Sequence, residues 1–262
     1  MNITKSVSIV RYDKEAFNQM DDLIIQEYPL TIFLNGEEFI TLLCSPKNVE
    51  YLVYGFLYSE GLILKKDDIA KVTIEKDKGF AYVDLKDRNQ LTEALHGKRI
   101  MTTGCGKGST FYNVLDLVHL KPVPKGFFIE PEQVLELSKK LNKESKTFID
   151  TGGVHSCCLC DAKDILIAHE DVGRHNAVDK IVGEALLTEI PLHDKVMITS
   201  GRISSEMLLK CAKVQIPIVI SRSAPTELAV REALKLDVTI IGFARGTRMN
   251  IYSHAERVVG AE

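Results

Sequence analysis

The chain has 262 residues, 45% of them apolar and 26% charged, and a formal net charge of −3. This is globular composition at a length near the limit for one hydrophobic core, so a main domain with a smaller companion is expected. The charge balance excludes a general attraction to nucleic acid or anionic membrane, and no apolar run reaches the ~18 residues of a membrane span, so a soluble, cytoplasmic protein is expected.

In chain order, the opening MNITKSVSIVRYDK has no signal-peptide core. The run YPLTIFLNGEEFITLLC places Asn35-Gly36 between two β-prone stretches, which predicts a hairpin. Ser45-Pro46 supplies an N-cap and a first helical residue for the apolar run NVEYLVYGFLYSEG, and Gly61 stands where a closing glycine belongs. KVTIEKDKGFAYVDL reads as a second hairpin. LKPVPKG, residues 120 to 126, disfavours regular structure and marks the boundary between a strand-rich subdomain, 1–122, and a second domain, 123–262. Beyond it, a helix from Pro131, strands near 154–160 and 165–169, and alternating helix and strand up to Tyr252 predict a layered α/β domain with largely parallel strands.

Between the two parts lies MTTGCGKGST, residues 101 to 110. It is not a P-loop, because Gly108 follows Gly106-Lys107 and Met101 holds the place of the first glycine. Nor is it a dinucleotide fingerprint, since Gly104, Gly106 and Gly108 are spaced two and two. A surface turn and a loop that presents the Cys105 thiol both fit. Six cysteines, at 44, 105, 157, 158, 160 and 211, are too few and too unevenly placed for a disulfide framework.

TGGVHSCCLC, residues 151 to 160, raises a zinc reading, with His155, Cys157 and Cys160 as ligands of a nucleoside deaminase. The reading is weak. The H-x-E that should precede the cysteines occurs only at His254–Glu256, after them, and in a strand residues 157 and 160 point to opposite faces. Buried core cysteines and no metal are the better expectation, and His155 reads as well as a core histidine.

Four further segments follow predicted strands: Arg174 and His175 in HEDVGRHNAVDK, Arg202 in TSGRISSE, Arg222 in SRSAPTE, and Arg245 and Arg248 in GFARGTR. Each alone reads as a solvated loop with capping serines. Together, on one predicted sheet edge, they favour a pocket for a phosphorylated ligand.

The succession RIMTTGCG, GGVH, EDVGRHNAVDK, TSGRISSEM, SRSAPTELAV and IGFARGTRMNIYSH resembles the FdhD/NarQ family of formate dehydrogenase accessory sulfurtransferases, from the first hairpin to nearly the last residue. The resemblance implies a carrier that takes sulfur as a persulfide from a cysteine desulfurase and delivers it to the molybdenum bis(guanine dinucleotide) cofactor, its substrate, for formate dehydrogenase. It implies that Cys105 carries the persulfide and that the segment Phe243, Ala244, Arg245, Gly246, Thr247, Arg248 binds the cofactor. It further implies a cytidine deaminase-like, three-layer domain with a mixed sheet and no zinc, and a cytoplasmic homodimer.

Many relatives have a second cysteine where this chain has Gly108, which puts in doubt any step needing an internal disulfide partner. On chemical grounds, a glycine-flanked thiol with Lys107 nearby suits transfer, because a neighbouring cation lowers a thiol pKa below its usual ~8.5. Arginines forking onto phosphates and a planar Phe243 beside a base suit the cofactor, with GDP or GTP as surrogate ligands. Two alternatives are a zinc-dependent deaminase-like hydrolase and a cofactor-binding chaperone without sulfur transfer.

Overall fold

The structure is a computed structural model that describes residues 2–87, 99–102, 109–112 and 120–261. The chain opens with β1 (Thr4–Asp13) and β2 (Ala16–Ile25), an antiparallel ribbon of its own. Lys14 and Glu15 turn it with φ of 48° and 68°, a conformation usually signalled by Asn or Gly, so the sequence offers no cue to this hairpin.

The predicted hairpin follows as β3 (Tyr28–Leu34) and β4 (Glu37–Cys44), with Asn35 and Gly36 at φ of 53° and 92°. Next come α1 (Val49–Ser59) and the second hairpin, β5 (Ile69–Glu75) and β6 (Phe80–Leu85). The two hairpins join through a parallel β3–β6 pair into one sheet of order β4-β3-β6-β5, and α1 covers it with Leu52, Val53, Phe56 and Leu57. The start of α1 differs from expectation. Ser45 does not cap the helix: its Oγ accepts from the Val172 amide and its amide donates to Asp171, and Asn48, at φ of 57°, stands before the first turn. The distant Asp171 outcompetes the local cap because it is buried and needs donors.

β7 (Arg99–Thr102) and β8 (Ser109–Tyr112) pair antiparallel. Residues 103–108, and with them Cys105, lie outside the described residues.

The second part contains α2 (Pro131–Glu144), α3 (Lys146–Thr151), β9 (His155–Cys160), β10 (Ile165–Asp171), α4 (Arg174–Leu187), β11 (Val196–Thr199), α5 (Ser205–Lys213), β12 (Ile218–Ser221), α6 (Glu227–Lys235), β13 (Thr239–Arg245) and β14 (Arg248–Ser253). α2 starts at Pro131 as expected, its amide ends held by a reciprocal Glu130–Gln133 box. The sheet runs β10-β9-β11-β12-β13-β14. It is mixed rather than largely parallel: only β11, β12 and β13 are parallel neighbours, and β9, β10 and β14 run antiparallel to theirs. Tight turns at 161–164 and 246–247 force the reversal, because a parallel return needs a crossover of a dozen or more residues.

One sheet face carries Cys157, Leu159, Met197, Val219 and Ile240 against α4, α5 and α6. The other carries Cys158, Cys160, Ile198, Ile220 and Ile241 against Val134, Leu137 and Leu141 of α2. The strands are therefore apolar on both faces, as a sheet between two helical layers requires.

The two parts meet where α1 crosses α4. A Cβ on Gly55 would stand 1.7 Å from the Asp179 carbonyl oxygen, and one on Gly183 would stand 1.9 Å from that of Tyr51. The helix backbones touch there, which only glycine permits. Beside the crossing, the Lys210 ammonium lies 2.6 Å from Glu60, 2.9 Å from Asp179 and 2.9 Å from Ser59 Oγ, all buried. Burial alone would strip the lysine of its proton, but Asp179 and Glu60 outweigh it and raise the pKa.

Candidate functional site

The site is built from one edge of the six-stranded sheet. Thr199 pairs with Cys157 on one side and Ser221 on the other, Asp171 pairs with His155, and Ile220 pairs with Ile241. These registers bring the starts of β9 and β14 and the ends of β10 to β13 to the same edge, so all four basic segments singled out in the sequence converge there. From β9 to β13 is three inter-strand steps, about 14 Å at ~4.8 Å each. An extended ligand fits that length better than a single phosphate.

Hydroxyls fix the loops to one another. Ser221 Oγ donates to the Gly201 carbonyl at 2.6 Å, Ser223 Oγ donates to that of Ser200 at 3.0 Å, and Ser200 Oγ accepts from the Ser156 amide at 3.0 Å. The Phe243 amide in turn donates to the Ser223 carbonyl at 3.0 Å. The serines of these loops are thus largely spent on shaping the edge. Ser204 and Thr226 are helix caps, accepting from the amides of Met207 and Ala229.

What the edge leaves over is positive charge. Arg174 and His175 are half-buried at the start of α4, Arg222 is half-buried after β12, and Arg202 is exposed after β11. Among the described residues, Arg202, Arg222, Arg245 and Arg248 make no ion pair. His175 lies 3.0 Å from Glu206 and 3.3 Å from Ser204. GFARGTR forms the tip of the β13–β14 hairpin, with Arg245 opposite Arg248 and both exposed. Phe243 sits at φ of 53° in a bulge, an unfavourable conformation for an aromatic residue, and the Arg245 guanidinium lies 5.8 Å from its ring centroid. Ala244, between them, is buried, and its carbonyl accepts from Ser138 Oγ. The predicted segment therefore divides into an anchoring Ala244 and outward Phe243, Arg245 and Arg248.

The EDVGRHNAVDK block divides in the same way. Asp171 is buried and holds Lys180 at 2.6 Å, the Ser45 amide at 3.0 Å and the Asn176 amide group at 3.0 Å. Asn176 also donates to the Leu43 carbonyl at 2.7 Å. Asp171, Asn176, Asp179 and Lys180 join α4 to the first part of the chain, and only Arg174 and His175 face the edge. No spacing rule separates these two roles, because they depend on which way the helix is turned.

Cys157 and Cys160 lie on opposite sheet faces, in different cores. Burial pushes the Cys158 thiol above its ordinary range and the Cys160 thiol up to about 12, so both stay protonated. Among the described residues no group of three His, Cys, Asp or Glu side chains is placed to hold a metal. A cavity of about 230 Å³ lies nearby, lined by Lys47, Asn48, Glu144, Ser156, His169 and Glu170, and by none of the predicted ligand residues. Among the described residues no helix is long and apolar enough to cross a membrane.

Comparison with known proteins agrees over nearly the whole chain. It is 47% identical to the sulfur carrier protein FdhD of Bacillus licheniformis, with 98% of each chain aligned. It is 43% identical to the protein of the same name from Staphylococcus aureus, over 97% of this chain and 96% of that one. The crystal structure of a protein from Desulfotalea psychrophila, provisionally described as a formate dehydrogenase accessory protein, superimposes with a TM-score of 0.79 at 25% identity, over 98% of this chain and 100% of that one. The FdhD/NarQ family profile matches residues 25–259, and this chain belongs to the FdhD/NarQ family.

Proposed function

We propose that this chain is a sulfur carrier for the maturation of formate dehydrogenase. It takes a persulfide sulfur from a cysteine desulfurase onto Cys105 and passes it to the molybdenum bis(guanine dinucleotide) cofactor, which binds along the basic edge as substrate. The observation that carries the reading is the four arginines without an ion pair among the described residues, Arg202, Arg222, Arg245 and Arg248, on an edge about 14 Å long by strand spacing that ends at the half-buried Phe243. It suits a ligand with phosphates along its middle and a planar base at its end, in a chain whose relatives are named sulfur carriers.

In the loading step the Cys105 thiolate attacks the outer sulfur of the donor persulfide. The new S–S bond forms as the old one breaks, and the donor cysteine leaves as a thiolate. No second thiol is consumed, so Gly108 does not obstruct it. Arg174, Arg202, Arg222, Arg245 and Arg248 would hold phosphates, and Phe243 would stack on a guanine. We also infer kinship of the second part with cytidine deaminases, supported by its mixed sheet between two helical layers, and a homodimer in the cytoplasm.

Two measurements test this. Cys105→Ser should abolish transfer of labelled sulfur from a desulfurase and leave GDP binding intact, whereas alanine at Cys157, Cys158 or Cys160 should preserve transfer. Arg245→Ala with Arg248→Ala should weaken GDP binding by about 1.5–3 kcal/mol for each charge-assisted hydrogen bond removed. Labelled, folded Cys105→Ser protein would overturn the carrier reading, and equal GDP affinity in the arginine variant would move the ligand off the hairpin.

A further inference from the structure

His155 opens β9 at one end of the basic edge, is half-buried, and its imidazole makes no hydrogen bond to any described residue. The contrast with the other shielded histidines is sharp. His169 binds Asn48 and Glu184, His175 binds Ser204 and Glu206, and His254 binds Glu256 and the Leu234 carbonyl. Half-covered imidazoles ordinarily find partners.

Two arginines and a second histidine surround His155, and the two carboxylates near it are already engaged. Arg174 and His175 face it from α4 and Arg202 from the loop before α5. Asp171 faces it from β10 but is held by Lys180 and by the amides of Ser45 and Gly173, and Glu206 of α5 is engaged with His175. Gly201 keeps the space open: a Cβ there would stand 3.3 Å from His155 Nδ1 and 3.3 Å from Arg174 Cβ. A ring nitrogen without a partner, two arginines and a glycine floor make a pocket for a tetrahedral oxyanion.

We propose that His155 is an anion-contacting residue of this edge: it takes up a proton as a phosphate group settles against Arg174 and Arg202, and donates a hydrogen bond to that phosphate. The inference rests on the edge being the ligand site. In the free protein burial first, then Arg174 and His175, hold the ring below the usual histidine range. A bound dianion reverses the local field, so the ring charges on binding. Proton uptake makes affinity pH-dependent, about tenfold per pH unit between the free and bound midpoints, tighter at lower pH. The folded chain thereby holds an empty site with less accumulated positive charge.

Inorganic sulfate is the suitable probe because it keeps both charges across the range of interest. The imidazole resonances of the full chain are followed by NMR against pH, with and without saturating sulfate, and His155→Gln identifies the signal. The expected result is a rise of the His155 midpoint by about one pH unit or more, with sulfate affinity in His155→Gln reduced severalfold at pH 6, approaching about tenfold below both midpoints, and little changed at pH 8. An identical titration with and without sulfate overturns the proposal, and the wild-type spectra decide even if the variant folds poorly. GDP binding is measured in parallel. A sulfate-dependent His155 without GDP binding removes the nucleotide reading and keeps the anion contact; GDP binding indifferent to His155→Gln at pH 6 removes the contact and keeps the nucleotide reading.

Discussion

Replacing Gly183 by alanine sets two opposed effects against each other. In a helix interior, alanine is favoured over glycine by about 0.8–1 kcal/mol, so propensity alone predicts a more stable protein. The structure predicts the reverse. The added Cβ would lie 1.9 Å from the Tyr51 carbonyl oxygen, 2.7 Å from the Gly55 nitrogen and 2.8 Å from the Tyr51 carbonyl carbon, all backbone atoms that cannot swing aside. Ordinary contact begins above 3 Å, so α1 and α4 must separate by more than an ångström. That separation strains the 2.6 Å Ser59–Asp179 hydrogen bond and the Lys210–Glu60 pair beside the crossing. Overpacking costs about 1–3 kcal/mol where side chains can adjust, and backbone contact puts this site at or above the top of the range. The net loss is about 2 kcal/mol, or about 4–8 °C in Tm for a chain of this size. Urea unfolding followed by circular dichroism measures it. Gly55→Ala should behave alike, and the double variant should lose less than the two single losses together, because helices already separated accommodate the second methyl. A Gly183→Ala protein as stable as the parent would refute the close crossing.

Lys210→Met should destabilise more, by about 3–5 kcal/mol, because it leaves Glu60 and Asp179 buried without their cation; urea midpoints show it, and a loss under about 1 kcal/mol would contradict the burial of the pair. His169 predicts a pH dependence. Burial first, then Lys180 and Lys47, depress its pKa from the usual 6.5 to about 4, and the neutral ring suits Asn48 at Nδ1 and Glu184 at Nε2. The unfolded chain therefore binds the proton before the folded one, so this contribution is complete above about pH 6.5 and is lost as pH falls toward 4. Urea midpoints should fall between pH 7 and pH 5, and His169→Gln should flatten part of that slope; an equal slope in the variant would reject the assignment.

Local chemistry made much of the molecule legible in advance. Asn35-Gly36 carries its own turn, Pro131 with Glu130 and Gln133 carries its own helix start, and the alternation in HSCCLC puts Cys157 and Cys160 on opposite faces whatever surrounds them. These features depend on backbone preferences and on neighbours within a turn, so they are written in the residues themselves. The convergence of four basic segments was also readable, because each follows a strand and strand ends collect at sheet edges. Tertiary structure decided what depends on partners distant in sequence. Ser45 is drawn from capping into the Asp171 network across 126 residues, Gly55 and Gly183 become a contact between two helix backbones, and the Lys14-Glu15 turn forms without the usual residues. It also decided which members of EDVGRHNAVDK face inward to buried partners and which face the edge, and it left His155 without a partner among cations. The reason is physical: a buried charge or a close backbone crossing takes its free energy from whatever the fold brings beside it, and no local pattern records that neighbour.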